Sequence, residues 1–235
     1  MCRKFRLGVA ILLCTQVAIA EESSWNGEGE LGLTHTSGNT TNENSIAKLK
    51  VGYSRHLWEH KANLEVLRAS DDDKLTAERY ELKLQSNYKW SEKGYLFGRF
   101  RYEDDSFNGY DYQTSLSTGY GHEVFKTDMT SLKLEAGIGI KRHKLETTDE
   151  SEQEPIGILG LNYTQKIGSH TKFTQDFLIE ASSENIYSES DSGLKVSITE
   201  KVALKLSVLI KNNSDVASDK EKTDTVSGVT LVYSF

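Results

Sequence analysis

The chain has 235 residues, of which 37% are hydrophobic and 27% charged, with a formal net charge of -7. An acidic chain without a Lys/Arg stripe excludes a nucleic-acid binder, which needs a basic face to neutralise phosphates. Its one proline, Pro155, excludes a linker-rich or disordered protein.

Residues 1–20, "MCRKFRLGVAILLCTQVAIA", read as a secretory signal peptide. Arg3, Lys4 and Arg6 precede an apolar run from Leu7, and Ala18-Ile19-Ala20 has the small-x-small shape of a cleavage site. The run is too short to span a bilayer. Cys14 is a poor lipidation site, because the bulky Leu13 precedes it where a small residue is needed. Both cysteines, Cys2 and Cys14, fall in this leader, so residues 21–235 form one mature domain with no disulfide to staple it. Without the leader's cations, 25 Lys+Arg face 35 Asp+Glu, a formal charge of about -10.

Along the mature chain, apolar and polar residues alternate with period two. In "AKLKVGYS", Ala47, Leu49, Val51 and Tyr53 oppose Lys48, Lys50, Gly52 and Ser54. In "RYELKLQSNYKW", Tyr80, Leu82, Leu84, Tyr88 and Trp90 oppose Arg79, Glu81, Lys83, Gln85, Asn87 and Lys89. "SLKLEAGIGIK", "KVALKLSVLIK" and "VSGVTLVYSF" repeat the pattern. A helix would scatter both sets around its circumference, whereas a strand puts them on opposite faces.

About twelve strands are predicted, near 24–35, 44–56, 60–69, 78–90, 95–104, 110–124, 130–142, 155–165, 171–181, 190–199, 201–211 and 224–235. Five connections are tight, around "RHLWEH", "SEKG", "KTDM", "KIGSH" and "TEK". Six are longer and polar, among them "SDDDKLTA", "HKLETTDESEQE" and "SSENIYSESD". Short turns on one side and long loops on the other predict an all-β, transmembrane, antiparallel up-and-down β-barrel, with the short side periplasmic.

Trp25, Tyr53, Tyr88, Trp90, Tyr120, Tyr163, Phe173, Tyr233 and Phe235 fall near the turn side on the outward parity. Tyr80, Tyr102, Tyr110 and Tyr112 fall near the loop side, so two interfacial aromatic belts are expected. Leu231, Tyr233 and Phe235 share the lipid-facing parity of the last strand. A terminal aromatic there resembles the signal by which outer-membrane barrels are recognised for insertion. The expected partners are therefore periplasmic chaperones, the barrel-assembly machinery, outer-membrane lipid and lipopolysaccharide.

The start "WNGEGELGLTHTSGNTTNENSIAKLKVGY", with its Trp-x-Gly opening and "TSGNT" turn, resembles the YdiY-like family (domain of unknown function 481), described as salt-induced outer-membrane proteins. "LFGRFRYEDDSFNGYDYQTSLSTGYGHEVF" and the final "LVYSF" carry the resemblance across nearly the whole mature chain. It implies a Gram-negative outer-membrane barrel and implies no substrate, catalytic residue or cofactor.

Candidate lumen charges on the inward parity are Lys48, Lys50, Glu65, Arg79, Glu81, Lys83, Arg99, Arg101, Asp111, Lys133, Glu135, Lys141, Lys172, Asp176, Glu180, Lys195 and Lys205. They predict either a polar pore that selects solutes or a core of mutually paired charges that fills the lumen. Arg99 with Arg101, and Lys48 with Lys50, would favour anions if they converge, unless the inward Glu28, Glu30 and Glu103 neutralise them. Loop acids include Asp71, Asp72, Asp73, Asp104, Asp105, Glu146, Asp149, Glu150, Glu152, Glu154, Glu184, Glu189 and Asp191. None has calcium-loop spacing, so a solvated, self-repelling surface is expected.

No nucleophile elbow, zinc-peptidase motif or P-loop occurs. A lipid hydrolase would need a serine and a histidine adjacent on the lipid face near the outer rim, and only His35 and His143 approach it. The sequence thus points to a narrow channel or structural barrel of the envelope, without catalytic, cofactor or metal residues. The alternatives are a lipid-acting barrel enzyme and a soluble secreted β-sandwich.

Overall fold

The computed structural model describes residues 23–37, 42–71, 74–105, 110–145, 151–216 and 221–235. Of residues 42–43, 69–71, 74–77, 110–111 and 145 it describes the backbone alone. The expected leader, 1–20, lies outside the described residues.

Twelve strands follow one another: β1 (Ser23–Ser37), β2 (Asn42–Arg55), β3 (Trp58–Asp71), β4 (Lys74–Lys89), β5 (Gly94–Asp105), β6 (Tyr110–Lys126), β7 (Thr130–Leu145), β8 (Ser151–Ile167), β9 (Thr171–Ala181), β10 (Ile186–Ser197), β11 (Val202–Asn213) and β12 (Thr223–Ser234). Each pairs antiparallel with its sequence neighbours, and β12 returns to β1 to close a barrel. Leu31 opposes Leu231 and Leu33 opposes Val229 across the closing seam. At the seam's end, Gly27 and Phe235 exchange both backbone hydrogen bonds at 3.0 Å. The Phe235 ring lies over Gly27, where an added Cβ would come within 2.4 Å of it, so glycine makes room for the terminal aromatic.

The barrel is apolar outside and charged inside. Leu31 is 69% exposed and Ile138 72%, while Glu30, next to Leu31 but on the other face, is 2% exposed. A soluble sandwich buries its apolar faces against one another, so this inversion excludes the sandwich alternative. It is the arrangement of a barrel solvated by lipid, where every backbone polar group must be satisfied within the ring.

A girdle of rings circles the turn end. Trp25 packs on Tyr53 at 4.5 Å between centroids, Tyr53 and Trp58 flank His60, and Trp58 meets Tyr88 at 5.1 Å. Trp90 with Tyr120, Tyr163 with Phe173, and Tyr233 with Phe235 continue it. Tyr102 stacks on Tyr112 at the loop end; the side chain of Tyr110 lies outside the described residues.

Several strands run further toward the loop end than the alternation predicts. β10 begins at Ile186 rather than 190, β8 at Ser151 rather than 155, and β4 at Lys74 rather than 78. Much of "SSENIYSESD" is therefore strand, and the connection narrows to a turn at 182–185, where the Ser182 hydroxyl donates to the Asn185 carbonyl. Outward positions in this region, such as Ser188 and Ser190, are polar, so the period-two signal fades although the ladder continues. Glu189 and Asp191 accordingly lie on the inward face of β10 and not on a loop, Asp105 is buried at the end of β5, and Glu152 and Glu154 lie in β8. Asp72, Asp73, Glu146, Asp149 and Glu150 lie outside the described residues.

Deleting Phe235 removes both backbone bonds to Gly27, each contributing about 1 kcal/mol, and uncovers the seam. The truncated chain is expected to lose its compact, heat-sensitive gel mobility at lower temperature than the full chain and to refold in lower yield. Unchanged heat modifiability would show that the terminal rung contributes nothing.

Candidate functional site

Inward side chains build the lumen in two levels. Toward the loop end, Arg101 of β5 is the hub. Its Nε donates to Glu81 at 2.7 Å, and its Nη2 donates to Glu103 at 2.7 Å and to the Tyr187 hydroxyl at 3.1 Å. The guanidinium also faces Glu189 at 3.4 Å and Glu180 at 3.9 Å. β5 and β10 are five strands apart around a ring of twelve, so this network crosses the bore.

Lys83 of β4 reinforces the crossing, at 2.8 Å from Glu189 and 3.1 Å from Glu81. Lys211 of β11 reaches Glu103 of β5 from the other wall, with Asp105 at 3.9 Å. Arg101, Glu81, Glu103 and Glu180 are all buried. A guanidinium suits such a hub because its donors fan out in a plane and it stays charged. Nearby, Ile46, Leu67, Leu209 and Val226 form an apolar cluster inside the wall made by β2, β3, β11 and β12.

Below the crossing the lumen opens into a cavity of about 720 Å³ whose ceiling includes Glu81, Lys83, Arg101 and Glu189. Room on one side comes from glycines. Gly119 and Gly137 oppose each other on β6 and β7, and an added Cβ on Gly119 would lie 2.8 Å from the Phe97 ring. Phe97 and Tyr95 of β5 can therefore lie close to that wall. Arg99 stacks 5.2 Å over Phe97 and pairs with Glu135, which also accepts from the Tyr95 hydroxyl at 2.9 Å.

The remaining sequence-named residues whose side chains are described all reach the lumen, and most are partnered. Lys48 pairs with Glu65 at 2.7 Å, and Arg79 pairs with the same carboxylate. Lys50 pairs with Glu30 at 3.1 Å, and Lys205 with Glu30 at 3.2 Å. Lys195 pairs with Glu28 at 2.5 Å, and Asp176 accepts from Asn162 at 2.9 Å. Lys141 and Lys133 sit near the rings of Tyr187 and Tyr95, at 5.8 and 5.9 Å. The side chain of Asp111 lies outside the described residues. Arg99 with Arg101 and Lys48 with Lys50 do not stand as free cation pairs, because each of the four meets a carboxylate. Leu231, Tyr233 and Phe235 face outward on β12.

A polar cavity and a core of paired charges are thus both present, separated by level along the axis. Sequence reasoning missed Tyr187, Glu189 and Lys211, which complete the crossing. Parity would have found Tyr187 and Glu189 once β10 was extended to Ile186, and Lys211 already stands on the inward parity of the predicted strand 201–211.

A serine and a histidine do meet on the outer face, Ser86 Oγ and His60 Nδ1 at 2.9 Å, but at the turn end. His60 is held there between Tyr53 and Trp58, as part of the ring girdle. At the loop end His143 faces inward, 3.4 Å from Glu152, and His35 is exposed.

The chain is similar to the uncharacterized protein YdiY of Escherichia coli (strain K12), 29% identical over 215 residues, 88% of this chain and 82% of YdiY. Among solved structures it is similar to the NanC porin, with a TM-score of 0.59 and 10% identity over 87% of this chain and 98% of that one. It is also similar to the translocator domain of the autotransporter NalP from Neisseria meningitidis, with a TM-score of 0.50 and 13% identity, over 90% and 88% of the two chains. Both structural likenesses concern the barrel fold. Residues 29–235 match the family model described as "Protein of unknown function, DUF481", and the chain belongs to that family.

Proposed function

We propose that this protein is a narrow channel of the Gram-negative outer membrane, with its turn end periplasmic and its conduction limited at the Arg101 crossing. The observation that carries the reading is the coexistence of a polar cavity of about 720 Å³ with a ceiling made of ion pairs and, among the described residues, no backbone plug. Side-chain ion pairs exchange partners without unfolding the ring, so ions and small solutes can pass where a packed apolar core would stop them. The lipid-facing exterior, the ring girdle and the porin-like fold support the location. Lipid and lipopolysaccharide are its surroundings, and the aromatic end of β12 supports recognition by the assembly machinery. On this reading the protein has no catalytic residue.

Single-channel recording in planar bilayers tests it. The natural chain is expected to conduct weakly, and the variant Arg101→Ser, Glu81→Ser, Glu189→Ser to conduct several-fold more, because the crossing is emptied while its charges leave together. A closed variant would leave a structural barrel as the better reading.

Stability separates pairing from filling. Arg101→Ser alone leaves the buried Glu81, Glu103 and Glu189 to share Lys83 and Lys211, one cation short, at a cost of about 3 kcal/mol for a broken buried pair. Its heat-induced gel shift is expected at lower temperature than that of the natural chain, and the triple variant is expected to recover part of the loss. Equal shifts in all three would mean the network carries no stability.

A further inference from the structure

Four lysines stand on four adjacent strands at directly opposed register positions. Lys166 of β8 opposes Lys172 of β9, Lys172 opposes Lys195 of β10, and Lys195 opposes Lys205 of β11. Side chains in such positions start about 5 Å apart at Cβ, and like charges there destabilise a sheet. The row leads from Lys166, exposed at the periplasmic rim, to Lys205, buried in the lumen, and Lys172, Lys195 and Lys205 line the cavity.

Two carboxylates answer the row. Glu28 takes Lys195, and Glu30 is shared between Lys205 and Lys50. Among the described residues neither Lys166 nor Lys172 has an ion-pair partner. The inward acid next along β9, Asp176, is engaged by Asn162. Everywhere else in this lumen the cations named so far either meet a carboxylate or lie against an aromatic ring. Like charges also oppose one another at Glu65–Glu81–Glu103 and at Lys83–Arg101, but each of those meets an opposite charge at ion-pair distance, whereas this row holds two lysines with no ion pair among the described residues beside a polar cavity.

We propose that the Lys166–Lys172–Lys195–Lys205 row is an anion-binding site, taking from the periplasmic side a small solute with several negative charges. Ammonium groups are compact point charges with three donors each and impose no planar geometry, so phosphate and carboxylate anions share the chemistry the row recognises. The site depends on inward register and not on passage through the Arg101 crossing. A barrel that never conducts would still bind.

Calorimetric titration of the folded full chain in detergent tests this, with tripolyphosphate in one arm and citrate in the other, at low and physiological salt. Either anion is expected to bind, and Lys166→Gln with Lys172→Gln is expected to weaken binding at least tenfold. Lys201→Gln, in the exposed β10–β11 turn, is expected to leave it unchanged. Tight binding in one arm alone identifies the phosphate or the carboxylate source, and binding in both shows recognition by charge. Because the double variant relieves like-charge repulsion, its heat-induced gel shift is expected at higher temperature than the natural chain's without anion, and to stop responding to added anion. No binding of either anion at physiological salt, or undiminished binding by the folded double variant, would overturn the proposal. Since no current is measured, failure of the channel reading would leave this result intact.

Discussion

Backbone closure is the constraint on which the rest of the structure depends. In hydrocarbon an unpaired N–H or C=O costs several kcal/mol, so a sheet crosses a membrane only if its last strand returns to its first. Here β12 meets β1 over ten register pairs, from Glu28 with Ser234 to Ser37 with Thr225, and the Gly27–Phe235 pair extends the seam to the last residue. What would be an exposed apolar tail in a soluble protein is the final rung of a closed ladder. Gly27 is bare because the Phe235 ring occupies the space its side chain would fill.

Once closed, the ring dictates what the side chains do. Its exterior is solvated by lipid, so apolar residues gain little by turning inward, and the interior receives most of the charged residues, with an apolar cluster at Ile46, Leu67, Leu209 and Val226. Those charges lose most of their hydration where the bore narrows. Arg101, Lys83 and Lys211 are offset there by Glu81, Glu103 and Glu189, contributed by strands on both sides of the bore. Such pairs add little stability over an apolar filling, but removing one member is costly. An ionic closure of this kind is therefore robust as a set and sensitive to single changes.

How much of this is legible in the sequence follows from how far each signal reaches. Alternation such as Tyr80, Leu82, Leu84 against Arg79, Glu81, Lys83 is local, and it carries the fold, the strand count and the inward parity. Above the lipid the outward residues become polar, as at Ser188 and Ser190, so the strand bearing Tyr187 and Glu189 reads as a loop. The contact between Arg101 and Glu189 depends on strand offset and barrel diameter, which no local pattern contains. The opposition of Lys172 to Lys195 likewise depends on register through the turn at 182–185. Chemistry that arises across the bore or along the hydrogen-bonding direction is visible only when the register is known.

Charge is also distributed unevenly along the axis. The chain is acidic overall, yet the cavity on the turn side is lined by ten Lys/Arg and eight Asp/Glu. The surplus of acid lies elsewhere, and part of it is exposed at the loop end, as at Glu152, Glu184 and Glu221. An anion approaching the loop end meets like charge and then the ion pairs of the Arg101 crossing. One approaching the turn end meets an open mouth, where the row beginning at Lys166 exceeds its carboxylates. Fields of this kind act over about 8 Å at physiological ionic strength, comparable to the width of a small lumen. Low-dielectric walls confine the field within the bore. The same alternation that solves the lipid problem outside thereby gives the barrel two electrostatically different ends.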